Sequence, residues 1–299
     1  MKHIVAATDL SRRSETAVAR AMLLARRFGA SLTVLHVVDD ELPARLFEAE
    51  RARAQEFLDG FVAGLPGADG VAVAVRAVGG LDFRAIVDTA DAEDASLIVL
   101  GAHRRNLIKD VFTGTTVERV VRSTARPVLV AKSADPADYV CTLTAVDLTA
   151  EAAEAVRLAH RMARGQTLYL LHVIDDTVTL QLKLAEVGSA EVERHRHAVE
   201  ERCRQLIDAI AGEAGLRAGE YLPVVEWSAP VPRLLDTAAT FGADLAVVGT
   251  RTHAKGAVER LLLGSFAEQA LRDLPCDVLA VPLDGSTALP GGDAVSGMP

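Results

Sequence analysis

The sequence predicts an α/β protein made of two tandem, doubly wound, five-stranded parallel sheets. Three observations carry that expectation. The chain has 299 residues and is 50% hydrophobic, enough for two cores of ordinary domain size. Four blocks of sequence recur in the same order in both halves. Within each half, short apolar runs alternate with longer stretches of helical periodicity.

The recurrences are specific. Ile4-Val5-Ala6-Ala7-Thr8-Asp9-Leu10-Ser11 returns as Leu143-Thr144-Ala145-Val146-Asp147-Leu148-Thr149, and Val34-Leu35-His36-Val37-Val38-Asp39 as Leu170-Leu171-His172-Val173-Ile174-Asp175. Leu97-Ile98-Val99-Leu100-Gly101 returns as Leu245-Ala246-Val247-Val248-Gly249, and Thr113-Gly114-Thr115 as Leu263-Gly264-Ser265. The offsets drift slowly, through 138, 136, 148 and 150. Ordered blocks with slowly drifting offsets indicate a duplication with about a dozen residues inserted in the second copy.

In the first half, His3–Ala7, Leu32–Val38, Val71–Ala77, Leu97–Gly101 and Val128–Ala131 have strand length and read as apolar on both faces. A parallel strand covered by helices on both sides requires this. Between the first two, Val18, Ala21, Met22, Ala25 and Phe28 recur at three and four, one helix stripe. Gly29 supplies the stop, and Gly165 repeats it in the second half. Helices are expected at about 44–63, 82–92 and 115–124. The second copy carries its extra residues in a long charged helix around 186–212. There His195 and His197 are two apart and point to different helix faces, so the pair with Cys203 is not read as a metal site. The expected domains are 1–132 and 139–283, with Ser133–Asp138 as linker and 284–299 as a disordered tail rich in Gly, Ser and Pro.

Composition excludes several functions. Lys and Arg total 32 against 41 Asp and Glu, a net charge of −9, which leaves no surface to neutralise nucleic-acid phosphates. No apolar run reaches the ~20 residues of a membrane span. Asp9 arrives too early for a signal-peptide core. Three cysteines are too few and too scattered for a disulfide framework. A cytoplasmic protein without nucleic-acid or membrane partners is expected.

Ligands of open parallel sheets sit beyond the carboxyl ends of strands, where neighbouring connections leave on opposite faces. Two loops per half have distinctive content there. Asp9 and Asp147 follow the first strand of each copy. Gly101 to Thr116, and Gly249 to Ser265, follow the fourth and end in a glycine and hydroxyl residues at a helix start, a pattern that suits phosphate. The same Gly-Thr pair also serves an ordinary turn and helix cap.

On these blocks the sequence resembles a tandem member of the universal stress protein family, over residues 1 to about 283. The resemblance implies a Rossmann-like fold of the adenine nucleotide alpha hydrolase-like type, and an ATP site with an accompanying magnesium ion. It implies that Asp9 and the backbone of Val37 and Val38 lie near the adenosine. Gly101, Arg104, Gly114, Thr115 and Thr116 would line ribose and phosphates, with Asp147, Gly249, Gly264 and Ser265 as the second copy. The family's motif is Gly-x-x-Gly, nine residues, then Gly-Ser or Gly-Thr. Here Arg104 stands at the second glycine, and in the second copy Thr252 does, with two further residues before Gly264. Both sites therefore read as altered copies. The family's Gly-x-Pro turn after the third strand is kept at Pro230 but reads Gly80-Leu81-Asp82 in the first copy.

The resemblance also implies an intrachain pseudo-dimer of the two repeats, with homodimerisation of whole chains left open. The expected function is a stress-responsive binding and signalling module. The alternative is a nucleotide-independent scaffold, or a binder of another small ligand. No hydrolase elbow, pyrophosphatase loop or paired-carboxylate motif is present, so slow ATP hydrolysis is the one activity the motifs leave.

Overall fold

The computed structural model describes residues 1–65, 70–102, 115–134, 136–175, 188–252 and 263–284. The first repeat runs β1 (His3–Ala7), α1 (Arg12–Phe28), β2 (Ser31–Val38), α2 (Ala44–Ala63), β3 (Val73–Gly79), α3 (Asp82–Ala92), β4 (Leu97–Gly101), α4 (Thr116–Ser123) and β5 (Val128–Ala131). The second runs β6 (Thr142–Ala145), α5 (Ala152–Ala163), β7 (Leu168–Ile174), α6 (Ser189–Glu213), β8 (Tyr221–Trp227), α7 (Pro230–Phe241), β9 (Leu245–Thr252), α8 (Ser265–Asp273) and β10 (Asp277–Asp284).

The chain forms two compact units. In the first, five parallel strands take the order β3-β2-β1-β4-β5. Ile4, Val5 and Ala6 of β1 and Leu97, Ile98 and Val99 of β4 are wholly buried, as central strands covered on both faces must be. In the second, β8-β7-β6-β9 repeat the same parallel order. The α/β, doubly wound class of each repeat is what the alternating pattern predicts.

The compact units do not follow the repeat boundary. Pro275–Pro282 belongs to the first unit, because β10 pairs antiparallel with β5 through Val278–Val130, Leu279–Leu129 and Ala280–Val128. The pairing covers an edge that would otherwise be an apolar strand open to association. Asp277 anchors it. Its side chain is fully buried, accepts the N–H groups of Lys132 and Ser133 at 2.7 and 2.9 Å, and lies 2.9 Å from Arg20 Nε.

Some boundaries differ from the sequence reading. β3 lies two residues later than Val71–Ala77 because its pairing with β2, from Leu32–Val73 to Val38–Gly79, fixes where it starts and stops. Its burial alternates, so it is not apolar on both faces. The stop of α5 falls on Arg164, itself left-handed at φ 53°, one residue before Gly165 at φ 80°. Gly29, at φ 62°, does end α1 and donates its N–H back to the last turn. The tail beyond Asp284 lies outside the described residues.

Candidate functional site

The strand order of the first unit reverses at β1, between β2 and β4, and a cavity of about 180 Å3 opens there at the strands' carboxyl ends. Asp9, Ser11, Ser14, His36, Val37, Asp82, Gly101 and Thr116 all line it. This is the place the topology of an open α/β sheet reserves for a ligand. A second depression of about 580 Å3, walled by Leu10, Val38, Leu42 and Phe57, shares His36 and Val37 with it.

The first wall is the turn Thr8-Asp9-Leu10-Ser11. Leu10 is left-handed at φ 60°, a conformation that costs an L residue ~1–2 kcal/mol. The turn is held by hydrogen bonds on both sides. Asp9 Oδ1 accepts from Ser11 N at 3.0 Å and from Ser11 Oγ at 2.5 Å. Leu10 N donates to Thr8 Oγ1 at 3.0 Å, and the Thr8 and Ser14 hydroxyls are 2.7 Å apart. The Leu10 side chain packs beside Val38, Ala54 and Ala77, which offsets the strain. Partial burial pushes the Asp9 carboxyl up, but hydrogen bonds from Ser11 and Ser14 outweigh it and hold the pKa below the ordinary carboxylate value. Asp9 is therefore a fixed negative charge at neutral pH.

His36 adds a second tie. Its Nδ1 donates to the Thr8 carbonyl at 2.8 Å, fixing the turn to β2. The second unit repeats the His–carbonyl tie, the left-handed leucine and the Asp–hydroxyl bond, but not the hydroxyls of Thr8 and Ser14, whose places Val146 and Ala152 take. His172 Nδ1 donates to the Val146 carbonyl at 2.9 Å, Leu148 is left-handed at φ 59°, and Asp147 Oδ1 accepts from Thr149 Oγ1 at 2.7 Å. Burial lowers the pKa of His172, so this ring stays neutral and structural. Both histidines thus tie the turn after the first strand of their repeat to the neighbouring strand.

The far wall is the start of α3 and α4. Thr115 caps α4, its hydroxyl accepting from Glu118 N at 3.3 Å. Thr116, the first helical residue, donates its hydroxyl to Asp82 Oδ2. Asp82 Oδ1 also accepts from Phe83 N at 2.7 Å.

Of the residues singled out from sequence, Asp9, Val37, Gly101 and Thr116 come together on the cavity, whereas Val38 lines the neighbouring depression. Arg104 and Gly114 lie outside the described residues. In the second unit Asp147 ends the β6 turn. Gly249 sits inside β9, where an added Cβ would meet Leu283 Cδ1 at 2.5 Å, so a larger residue there would have to displace the Leu283 side chain. Gly264 is the cap residue of α8 with no side chain to give, and Ser265 begins the helix. Trp227 closes β8 and is held by α6, its Nε1 donating to Glu200 at 2.8 Å with the Arg196 guanidinium 4.9 Å from the ring centre. Sequence reasoning missed the inward role of Ser14 and Asp82. The break in the Gly-x-Pro turn was the one signal for Asp82. Among the described residues no three His, Cys, Asp or Glu side chains gather to hold a metal ion, and no helix is long and apolar enough to cross a membrane.

Comparison with known proteins agrees with this geometry. The model of the universal stress protein family matches the chain twice, over residues 1–132 and 142–282. The chain belongs to the universal stress protein family. A universal stress protein of Methanocaldococcus jannaschii is 31% identical over 140 residues, covering 44% of this chain and 82% of that one. Universal stress protein A homolog 2 of Coxiella burnetii is 27% identical over 123 residues, covering 41% and 79%. The crystal structure of a universal stress protein from Archaeoglobus fulgidus superposes with a TM-score of 0.67 at 20% identity, covering 94% of this chain and 98% of that one. That likeness is one of fold, and the two family matches make the chain a tandem member.

Proposed function

We propose that this protein is a stress-responsive binding and signalling module that takes an adenine nucleotide, ATP with Mg2+, in the cavity at the carboxyl ends of β1 and β4. The observation that carries the reading is the convergence of Asp9, Val37, Gly101 and Thr116 on one cavity at the reversal of strand order. In this reading Asp9 and the backbone of Val37 and Val38 recognise the adenosine end. Gly101, Arg104, Gly114, Thr115 and Thr116 attend the ribose and phosphates. Asp147, Gly249, Gly264 and Ser265 form a weaker second copy, in domain 139–283 as against 1–132.

Magnesium fits the donors that face the cavity. The Asp82 and Asp9 carboxylates and the Thr116 and Ser11 hydroxyls are hard oxygen ligands, the kind this ion takes. When bound, it would neutralise phosphate charge. The intrachain pseudo-dimer is part of the same proposal, supported by the pairing of β10, the last strand of the second repeat, with β5, the last of the first. Free thiols at Cys141, Cys203 and Cys276 suit a reducing, cytoplasmic setting.

A second reading, a module that works without nucleotide, is favoured by one feature: Asp82 places a negative charge beside the start of α4. Mass analysis of small molecules released from the purified, denatured protein separates the two. Stoichiometric recovery of an adenine nucleotide is the expected result, and a nucleotide-free protein that also fails to take up ATP with Mg2+ supports the second reading.

A further inference from the structure

Among the described residues, β3 is an edge strand of the first unit. In a parallel strand the N–H and C=O of one residue point to the same side, and successive residues alternate. The Ala72 carbonyl accepts from Leu32 N at 2.9 Å, and Gly80 N donates to the Val38 carbonyl at 3.1 Å. Even-numbered residues therefore face β2, and Val75 and Ala77 turn their peptide groups away from it. Outward groups of this kind are a template for another strand.

Gln55 of α2 occupies them. Its Oε1 accepts from Ala77 N at 3.1 Å, and its Nε2 donates to the Val75 carbonyl at 3.3 Å. Nε2 also donates to the Asp59 carboxylate, at 3.3 and 3.4 Å. A carboxylate only accepts and a backbone N–H only donates, so these contacts agree on one orientation of the amide. The bonds to Val75 and Ala77 are the two that a residue of an added parallel strand would make opposite Arg76. A strand added antiparallel needs the same two groups. The side-chain amide thus stands in for the peptide group of a neighbour.

The second unit carries a different device at the same register. Leu168 N donates to the Glu220 carbonyl and Ser228 N to the Ile174 carbonyl, so the odd-numbered residues of β8 face away from β7. Val34 pairs with Val75, and its repeat counterpart Leu170 pairs with Pro223. Proline has no N–H to offer a further strand.

We propose that Gln55 is the edge guard of the first unit: its amide holds the outward groups of β3 and keeps that strand from pairing with β3 of a second copy of this chain. The strand reads Val-Ala-Val-Arg-Ala-Val-Gly, seven residues with one charge and no proline, a composition that self-associates when its edge is open. Two-fold association sets such a strand against itself.

Sedimentation velocity of the intact chain over a concentration series tests this, with NMR exchange of the Ala77 amide as the check on the bond. Gln55→Ala removes the amide while keeping a strong helix former in α2. Self-association at least ~10-fold tighter than wild type, with faster Ala77 exchange, is the expected result. Adding Val75→Pro copies the second unit's device and leaves the ladder with β2 intact, because Val75 N points away from β2. It should return association to the wild-type level. Association caused by misfolding is not reversed by a proline, so the two variants together separate the causes. Unchanged association in Gln55→Ala, whether or not Ala77 exchanges faster, overturns the proposal, as does association that Val75→Pro fails to reverse.

Discussion

Replacing Asp277 by alanine should unseat β10 from the first unit. The carboxylate is fully buried and its partner Arg20 is 3% exposed, with Nε at 2.9 Å and a second guanidinium nitrogen donating to the Ala137 carbonyl. Removing one partner of a buried pair leaves an uncompensated charge, at a cost of about 3–5 kcal/mol. The N–H groups of Lys132 and Ser133 lose their acceptor as well, but they lie near solvent, so water recovers part of that loss. The expected destabilisation is thus about 3–5 kcal/mol, or about 2 M in the urea midpoint at an m-value near 2 kcal/mol/M. Equilibrium urea unfolding followed by circular dichroism measures it. A double-mutant cycle with Arg20→Met should show at least about 2 kcal/mol of coupling, because the second change removes the stranded charge. A loss below about 1 kcal/mol for Asp277→Ala, or additive effects in the cycle, would refute the claim that this pair holds the strand.

Two further predictions concern titration. Ser11→Ala removes the shortest hydrogen bond to Asp9, so the Asp9 pKa should rise toward its ordinary value; carboxyl-carbon NMR reads this, and an unchanged or lower pKa contradicts it. Burial lowers the pKa of His172 from its ordinary 6.5, so the unfolded chain binds more protons there. Its contribution to stability is complete above about pH 6.5 and is lost as pH falls toward the folded-state pKa. Thermal unfolding between about pH 5 and 7 should therefore show a shallower pH dependence for His172→Gln than for wild type, and identical slopes would remove the basis for a buried neutral ring.

Much of this organisation is legible in the residues, for identifiable reasons. β1, β4 and β5 have the bounds their apolar runs suggest, since a central strand has no polar positions to blur its ends. β3 does not, because an edge strand is covered on one face and its register comes from β2. Asp9 is legible because a carboxylate directly after a buried strand is exceptional. Asp82 looks like any acid in a first helical turn, where such residues are common for dipole reasons; only its hydrogen bond to Thr116, from a distant helix, turns it inward. Asp277 reads as part of the polar turn before a strand. Its burial depends on Arg20 and on the end of β5, neither of which any local pattern connects to it. The exchange of β10 into the first unit is likewise a tertiary fact that periodicity does not encode.

The central claim is that the cleft of the first unit recognises an adenine nucleotide through the turn after β1. Calorimetric titration of the intact chain with ATP and Mg2+ tests it, comparing wild type with Asp9→Ala and Asp147→Ala. Asp9→Ala should weaken binding at least tenfold, a loss of ~1.4 kcal/mol, and Asp147→Ala should change it less. Unchanged binding in Asp9→Ala, loss confined to Asp147→Ala, or no binding by wild type would contradict the account.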